Sequence, residues 1–387
     1  MKIGIITHFW VSNFGANLQA VSTFRYLKSL GHEPIMLNYR PHDLEMHNMR
    51  FFKSAQIEQH EQFVQDHLKI SPVMRNDSDL IKYSNKMRFD VILAGSDSIM
   101  RVKNSVKSED GKFPNSFWLK WTEKLEIKPR TCFLAASTEG SYYFFLKRNT
   151  QMGIKSALES VDYVSVRDRW SQKMVDYVSR GIVMSDICPD PVSILNSVLD
   201  VSENHAGASL DLKKKYVLLS VSKKYLSSTW VKQFRNMLKK RGLKFYTLPT
   251  PGREFEFEAD EVLRTPMHPL TWYSWIANAR AIITSQFHPI ACATFNSVPF
   301  ISVDISGQMY FRSFGIRSTS KAHDLCMNIN AESNSVLPMR ARFLLSPQKA
   351  MDLIDAWNIE AVVKYQQEAK DSFGSTIKKV LNEVGEV

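Results

Sequence analysis

The run AIITSQFHPIACATFNSVPFISV, residues 281–303, limits the fold of this chain more than any other segment. Ala281 to Thr284 is a short apolar stretch with two isoleucines, the pattern of a strand buried on both faces. Ser285 and Gln286 break it, and Pro289 suits a first helical turn, where its missing N–H costs nothing. Ile290 to Phe295 then reads as a helix packed on a sheet and stopped by Asn296, with Val298 to Val303 as the next strand. A strand, a helix and a strand in so short a span point to an open α/β sheet. The spacing puts His288 at a strand-to-helix turn facing a crevice, at the carboxyl end of a strand, where such sheets bind ligands. Imidazole titrates near neutral pH, and helix N-termini attract anions. A capping or core histidine fits the same residues equally well.

The alternation recurs along the chain. Lys2 to Thr7 reads as a buried strand, Asn17 to Leu30 as an amphipathic helix ended by Gly31, and Glu33 to Asn38 as a second strand. The polar stretch Pro41 to Met87 reads as helices and a mobile insertion. Strands follow at Phe89 to Ala94, Arg130 to Ala136 and Tyr163 to Val166, with helices from about Thr150 to Val161 and from Ser171 to Ser179. Asn196 to Lys215, polar with Gly and Asp, is the best linker. The second half gives strand Tyr216 to Val221, helix Thr229 to Arg241, strand Lys244 to Leu248 and helix Leu270 to Asn278, then the run described above. From about Ser346 onward the pattern is helical. The expected organisation is an N-terminal Rossmann-like domain over 1–195, a C-terminal one over 213–345 and a helical segment over 346–387.

At 387 residues the chain is long for one domain, and 44% hydrophobic with 23% charged residues is ordinary for a globular protein. Cys132, Cys188, Cys292 and Cys326 lie far apart without metal-ligand spacing, which suits a reduced, cytoplasmic setting. Met1 to Trp10 is too short for a secretory apolar region and no stretch reaches membrane-spanning length. Four of the ten histidines, His42, His47, His60 and His67, fall in the insertion, five, thirteen and seven residues apart, a poor ligand pattern, so no metal is expected. Fifty Lys and Arg against 39 Asp and Glu give a net charge of +11, which favours anionic partners. No helix-turn-helix, zinc-finger or RNA-binding aromatic signature accompanies that charge, so nucleic acid is not expected. A soluble basic surface would account for much of it as well.

Three further segments follow strands. In Asn13-Phe-Gly-Ala-Asn-Leu-Gln19, Gly15 lets backbone approach a ligand while Asn13, Asn17 and Gln19 supply neutral donors; an ordinary helix cap is the other reading. It is not a G-x-G-x-x-G dinucleotide fingerprint. Gly95-Ser96-Asp97 can present a hydroxyl and a carboxylate, or serve as an N-cap. Arg167, in Ser165-Val-Arg-Asp168, can grip a carboxylate or phosphate with both arms of its guanidinium, or pair structurally with Asp168 or Asp190.

Taken together and in this order, the Asn13-to-Gln19 segment, Phe89-to-Asp97, Ser165-Val-Arg-Asp168 with Asp190-Pro191, and the Ser285-to-Ile301 turn resemble the polysaccharide pyruvyltransferases. The resemblance spans residues 1 to about 303 and departs from the family at Met100, where a tryptophan is common. It implies two Rossmann-like domains facing across a cleft, as in glycosyltransferase-B folds, with the C-terminal helix crossing back onto the first domain. It further implies phosphoenolpyruvate as donor substrate, no cofactor, and a saccharide acceptor in a cytoplasmic setting; the basic charge leaves open a lipid-linked acceptor, which would bring the protein to the inner face of a membrane. His288, Asp97 and Arg167 become the expected catalytic residues. Asn13, Gly15, Asn17, Gln19, Ser96, Ser285, Gln286 and Arg312 become the expected substrate ligands. Acceptor choice is expected to fall to Pro41–Met87 and Met100–Phe117, which follow first-half strands. A nucleotide-sugar glycosyltransferase of the same plan and a non-catalytic basic binding module are the rival readings; no signal for oligomeric state is present.

Overall fold

Both halves of the chain lay a fully parallel sheet between helices. The computed structural model describes residues 1–103, 111–200, 213–304, 320–337, 341 and 343–382. Arg312, most of the expected linker and part of the Met100–Phe117 loop lie outside the described residues. The first sheet contains Lys2–Ile6 (β1), Glu33–Met36 (β2), Val91–Asp97 (β3), Arg130–Ala136 (β4), Tyr163–Val166 (β5) and Asp186–Ile187 (β6), in the order β2-β1-β3-β4-β5-β6. The second contains Tyr216–Ser220 (β7), Lys244–Thr247 (β8), Glu261–Val262 (β9), Ala281–Thr284 (β10), Phe300–Val303 (β11) and Ser335–Val336 (β12), in the order β12-β11-β10-β7-β8-β9. Near-continuous apolar strands such as Val91-Ile-Leu-Ala94 and Ala281-Ile-Ile283 are what two helix-covered faces require.

The two strand orders fix where a ligand can sit. From β1 the chain moves outward to β2 and then returns to the other side of β1 at β3. From β7 it moves outward to β8 and β9 and returns to the other side of β7 at β10. Each reversal opens a crevice at the strand carboxyl ends. The first is bordered by Asp97 and the second by Ser285 to His288.

Helices Phe14–Ser29 (α1), His42–Phe51 (α2), Ser54–His67 (α3), Asp77–Met87 (α4), Arg148–Glu159 (α5), Arg169–Ser179 (α6) and Leu195–Val198 (α7) belong to the first half. Ser228–Lys240 (α8), Pro269–Ala277 (α9), Phe287–Phe295 (α10), Lys321–Asn328 (α11), Pro347–Asp355 (α12) and Ile359–Leu381 (α13) follow. One apolar core joins the facing layers of both sheets, running through Leu18 and Phe24 of α1, Trp272 of α9, Ile290 of α10 and Phe373 of α13. Separate cores fill the outer faces of each sheet. The last helix crosses back as expected: Arg130 donates from Nε to the Val380 carbonyl at 2.9 Å, and Lys379 meets Asp186 at 2.7 Å.

Several local expectations are corrected. Strand β3 continues through Gly95-Ser96-Asp97, so that segment is strand end rather than turn. Helix α1 begins at Phe14, one turn before the expected start, because Asn13 caps it. Helix α10 begins at Phe287, so His288 lies inside its first turn. Pro41 to Met87 holds the expected helices, α2, α3 and α4. Gln56 of α3 is fully buried and bonds both backbone groups of Met267, donating to its carbonyl at 2.9 Å and accepting from its N–H at 2.7 Å.

Candidate active site

The first-domain wall of the cleft is an ion-paired network. Arg167 follows β5, its side chain has no solvent exposure, and its Nη1 donates to Asp190 Oδ2 at 2.6 Å. Its Nη2 reaches Asp97 Oδ1 at 3.4 Å, and Nη1 also donates to Gln19 Oε1 at 3.2 Å. Gln19 in turn accepts from Ser96 Oγ. Asp97 holds a positive φ of 85° at the end of β3, a strained conformation that an L residue keeps only when its surroundings enforce it. Gly95, at φ 132°, permits the bend: a Cβ there would lie 2.1 Å from the Leu134 carbonyl oxygen. Asp190 heads the turn Pro191–Ile194 by accepting from Val192 N–H at 3.0 Å. Asp168 is turned away, capping α6 and accepting from Ser137 Oγ at 2.8 Å.

The second-domain wall is sparser. His288 stands with Nε2 3.8 Å from Asp190 Oδ2, too far for a hydrogen bond, and its side chain is 14% exposed. Its ring lies against Gly15 of α1, where a Cβ would fall 1.9 Å from the imidazole Cγ. That glycine is required by contact with the catalytic candidate on the facing domain. Phe287 lies beneath two cations, the Arg167 guanidinium at 5.3 Å and Lys321 Nζ at 5.2 Å from its ring centre.

Electrostatics separates the two walls. Burial pushes the Asp97 carboxyl up, but Arg167, then His8, His288 and Lys321, override it and hold it well below the ordinary carboxylate range. Burial pushes His288 down to about 4, with Asp190 opposing and Arg167 reinforcing the shift. Burial and Arg167 also lower Lys321. At neutral pH the His288 imidazole is therefore uncharged.

Three polar atoms of this cluster are buried without a hydrogen-bond partner: Gln19 Nε2, Arg167 Nε and His288 Nε2. Buried polar groups are nearly always paired, and a concentration of orphans marks a place for a ligand. Among the described residues no group of His, Cys, Asp or Glu could hold a metal ion.

The structure thus brings together Gly15, Gln19, Ser96, Asp97, Arg167 and His288. Other expected site residues are placed differently. Asn13 is exposed and its side chain accepts from Ala16 N–H at 3.2 Å as the cap of α1. Asn17 is buried, donating to the carbonyls of Phe9 at 2.6 Å and Val11 at 3.2 Å while meeting His60 Nδ1. Ser285 and Gln286 end β10 at the cleft, with Ser285 N–H bonded to the Ser220 carbonyl at 3.2 Å and Gln286 exposed. Asp190, Phe287 and Lys321 were not among the expected site residues. Asp190 had a signal in its motif partnership with Arg167; Lys321, at the start of a short helix, had none.

A family model described as polysaccharide pyruvyl transferase matches residues 13–307. The chain belongs to that family. The match runs from the cap of α1 past β11, so it covers every described member of the cluster except Lys321. The comparison with curated proteins gave no match. Among solved structures, this family member is similar to a candidate UDP-N-acetylglucosamine 2-epimerase of Listeria monocytogenes, at 10% identity and TM-score 0.57, covering 100% of this chain and 97% of the other. A UDP-N-acetylglucosamine 2-epimerase of Methanocaldococcus jannaschii follows at 12% identity and TM-score 0.51, covering 95% and 92%. The spinosyn forosaminyltransferase SpnP gives 11% identity and TM-score 0.50, covering 99% of each chain. At these identities the likeness concerns fold: this pyruvyl transferase family member is built as two Rossmann-like domains of the glycosyltransferase-B kind. Among the described residues, no helix is long and apolar enough to cross a membrane.

Proposed function

We propose that the protein transfers the pyruvyl group of phosphoenolpyruvate to a saccharide of a bacterial surface polysaccharide or its precursor, forming a ketal and releasing phosphate. The observation that carries the reading is that Gln19 Nε2, Arg167 Nε and His288 Nε2, in one side-chain cluster with Phe287 and Lys321, are all buried without a hydrogen-bond partner. Two cations and neutral donors in one buried cluster suit a small ligand bearing both carboxylate and phosphate. Chemically, a proton passes to the donor methylene carbon as a sugar hydroxyl oxygen bonds to the adjacent carbon and gives up its proton. The carbon–oxygen bond to phosphate then breaks, phosphate leaves with the electron pair, and a second hydroxyl of the same sugar bonds to that carbon and loses its proton. In this reading the negative charge of the bound donor raises the His288 imidazole so that it takes up a proton, which it then gives to the methylene carbon; Arg167 and Lys321 offset the charge of the departing phosphate. Asp97, kept ionised, accepts a hydroxyl proton or orients the hydroxyl. The helices of Pro41–Met87 and the described part of Met100–Phe117 line the acceptor side.

Thermal shift tests the reading directly. Phosphoenolpyruvate is expected to raise the melting temperature, and phosphate is expected to appear when a competent saccharide is added. Stabilisation by a nucleotide sugar alone would overturn the proposal in favour of a glycosyltransferase, and stabilisation by neither would favour a binding module.

A further inference from the structure

Helices α5 and α6 and the single turn Tyr143–Phe145 form the outer layer of the first domain, on the side of its sheet away from the second domain's core. Their solvent faces repeat one pattern. On α5, Arg148, Met152 and Lys155 stand at i, i+4 and i+7; on α6, Lys173 and Tyr177 stand at i and i+4, and Arg180 follows as the cap of its C-terminus. Each is an apolar side chain between two cations. Phe145 precedes both helices in sequence, with Lys147 and Arg148 two and three residues after it, and Phe144 links the parts through ring contacts to Phe145 at 4.7 Å and Tyr177 at 5.9 Å. Phe145, Met152 and Tyr177 are 63%, 60% and 49% exposed, and Ile182 and Met184 extend the apolar surface beyond α6.

Charge decides what this surface suits. Lys155 pairs with Glu159 at 3.6 Å, and the one other carboxylate within α5 and α6 is Asp176, so Lys147, Arg148, Lys173 and Arg180 leave this layer positively charged. The rings meet nearly edge-on, Phe144 to Phe145 at 70° and Phe144 to Tyr177 at 83°, so they offer no flat platform for stacking a sugar. Exposed aromatics and a methionine flanked by cations are the composition that settles at the headgroup level of an anionic bilayer.

We propose that the outer face of α5, α6 and the Tyr143–Phe145 turn docks on an anionic lipid surface. Phe145, Met152 and Tyr177 enter the headgroup layer while Lys147, Arg148, Lys173 and Arg180 contact lipid phosphates. This names the membrane side of a protein whose proposed acceptor is a saccharide, and it rests on that reading only for its purpose; binding itself is measured without the reaction.

Co-sedimentation of the full chain with vesicles tests it. Binding is expected with vesicles of equal parts phosphatidylglycerol and phosphatidylcholine, is expected to fall with added salt, and is expected to be weak with phosphatidylcholine alone. Lys147→Glu with Arg148→Glu should lower the partition by about tenfold or more. Phe145→Ser with Tyr177→Ser should lower it at low salt while leaving the thermal shift given by phosphoenolpyruvate unchanged. Absence of binding to anionic vesicles at low salt would overturn the proposal, as would unchanged binding by both double variants. A change in oligomeric state in those variants, with vesicle binding intact, would overturn it in favour of a protein interface. Because the donor shift is read separately, failure of the surface and failure of the proposed activity are distinguishable.

Discussion

The two walls of the cleft are built on opposite principles. On the first domain, Arg167 is locked between Asp97, Asp190 and Gln19, with Ser96 behind, and the pairings are made before any ligand arrives. On the second, His288 has no hydrogen-bond partner at Nε2 and is held mainly by packing against Gly15. A preorganised ion-pair network cannot change protonation cheaply, since Arg167 holds Asp97 ionised and is itself stabilised by it. An uncharged, unpaired imidazole can. Under the proposed reaction, this contrast gives binding and orientation to the first wall and proton movement to the second.

The sharpest way to break this contrast is to exchange the expected phenotypes. His288→Gln is expected to keep the fold and donor binding while losing roughly two to four orders of magnitude in turnover. Arg167→Met is expected to do something different: with Asp97 and Asp190 left buried and uncompensated, it should cost about 3–5 kcal/mol of stability by denaturant unfolding, besides abolishing donor binding. The Arg167 pairing with Asp190 makes this a fold-level substitution, so melting near the parental temperature is expected only for His288→Gln. Parental turnover in His288→Gln, or parental stability in Arg167→Met, would erase the division between the walls.

A smaller effect sharpens it through pH. The folded His288 is pushed from its ordinary value of 6.5 to about 4 by burial. Between those values the unfolded chain takes up a proton that the folded chain refuses, so this contribution to stability is complete above pH 6.5 and is lost as pH falls toward 4. His60, pushed down to about 3 by burial and by His268, adds to the same window. The comparison that isolates His288 is therefore parental protein against His288→Gln, whose stability should fall less over that range. With phosphoenolpyruvate bound, the added negative charge should raise the imidazole value, visible by NMR as a titration displaced upward from about 4. A titration unmoved by the donor would remove His288 from the donor pocket.

Much of this division was legible in the residues, and the parts that were not share physical causes. Strands β4, β5 and β10 were readable to the residue because each is a short apolar run bounded by polar or charged residues. The strands β6, β9 and β12 are two residues long and carry no period to detect. Gly95-Ser96-Asp97 looked like a turn because glycine, serine and aspartate favour turns, yet pairing with β4 carries the strand through them. The helices of Pro41–Met87 looked loose because their exposed faces are polar. What orders α3 is a contact distant in sequence, Gln56 on Met267, which no local pattern announces. Gln19 was readable as a candidate by motif, but its role in joining Ser96 to Arg167 belongs to tertiary structure alone.

The smallest expected effect separates two asparagines that the sequence presents as equals. Asn13 is exposed and its side chain does one thing in the structure, capping α1 through Ala16 N–H. Asn17 is buried and ties the chain after β1 to α1 through the carbonyls of Phe9 and Val11, while His60 holds its other end. Asn13→Ala should therefore cost about 1 kcal/mol, the ordinary value of a lost cap, and leave donor binding within experimental error. Asn13→Asp should retain most of that stability, because aspartate caps as well as asparagine. The measurement is denaturant unfolding beside a phosphoenolpyruvate titration. If Asn13→Ala instead weakens donor binding while stability is unchanged, the cap is a ligand. The first wall would then extend to the mouth of the cleft, and its separation from the second would be less complete than the buried contacts suggest.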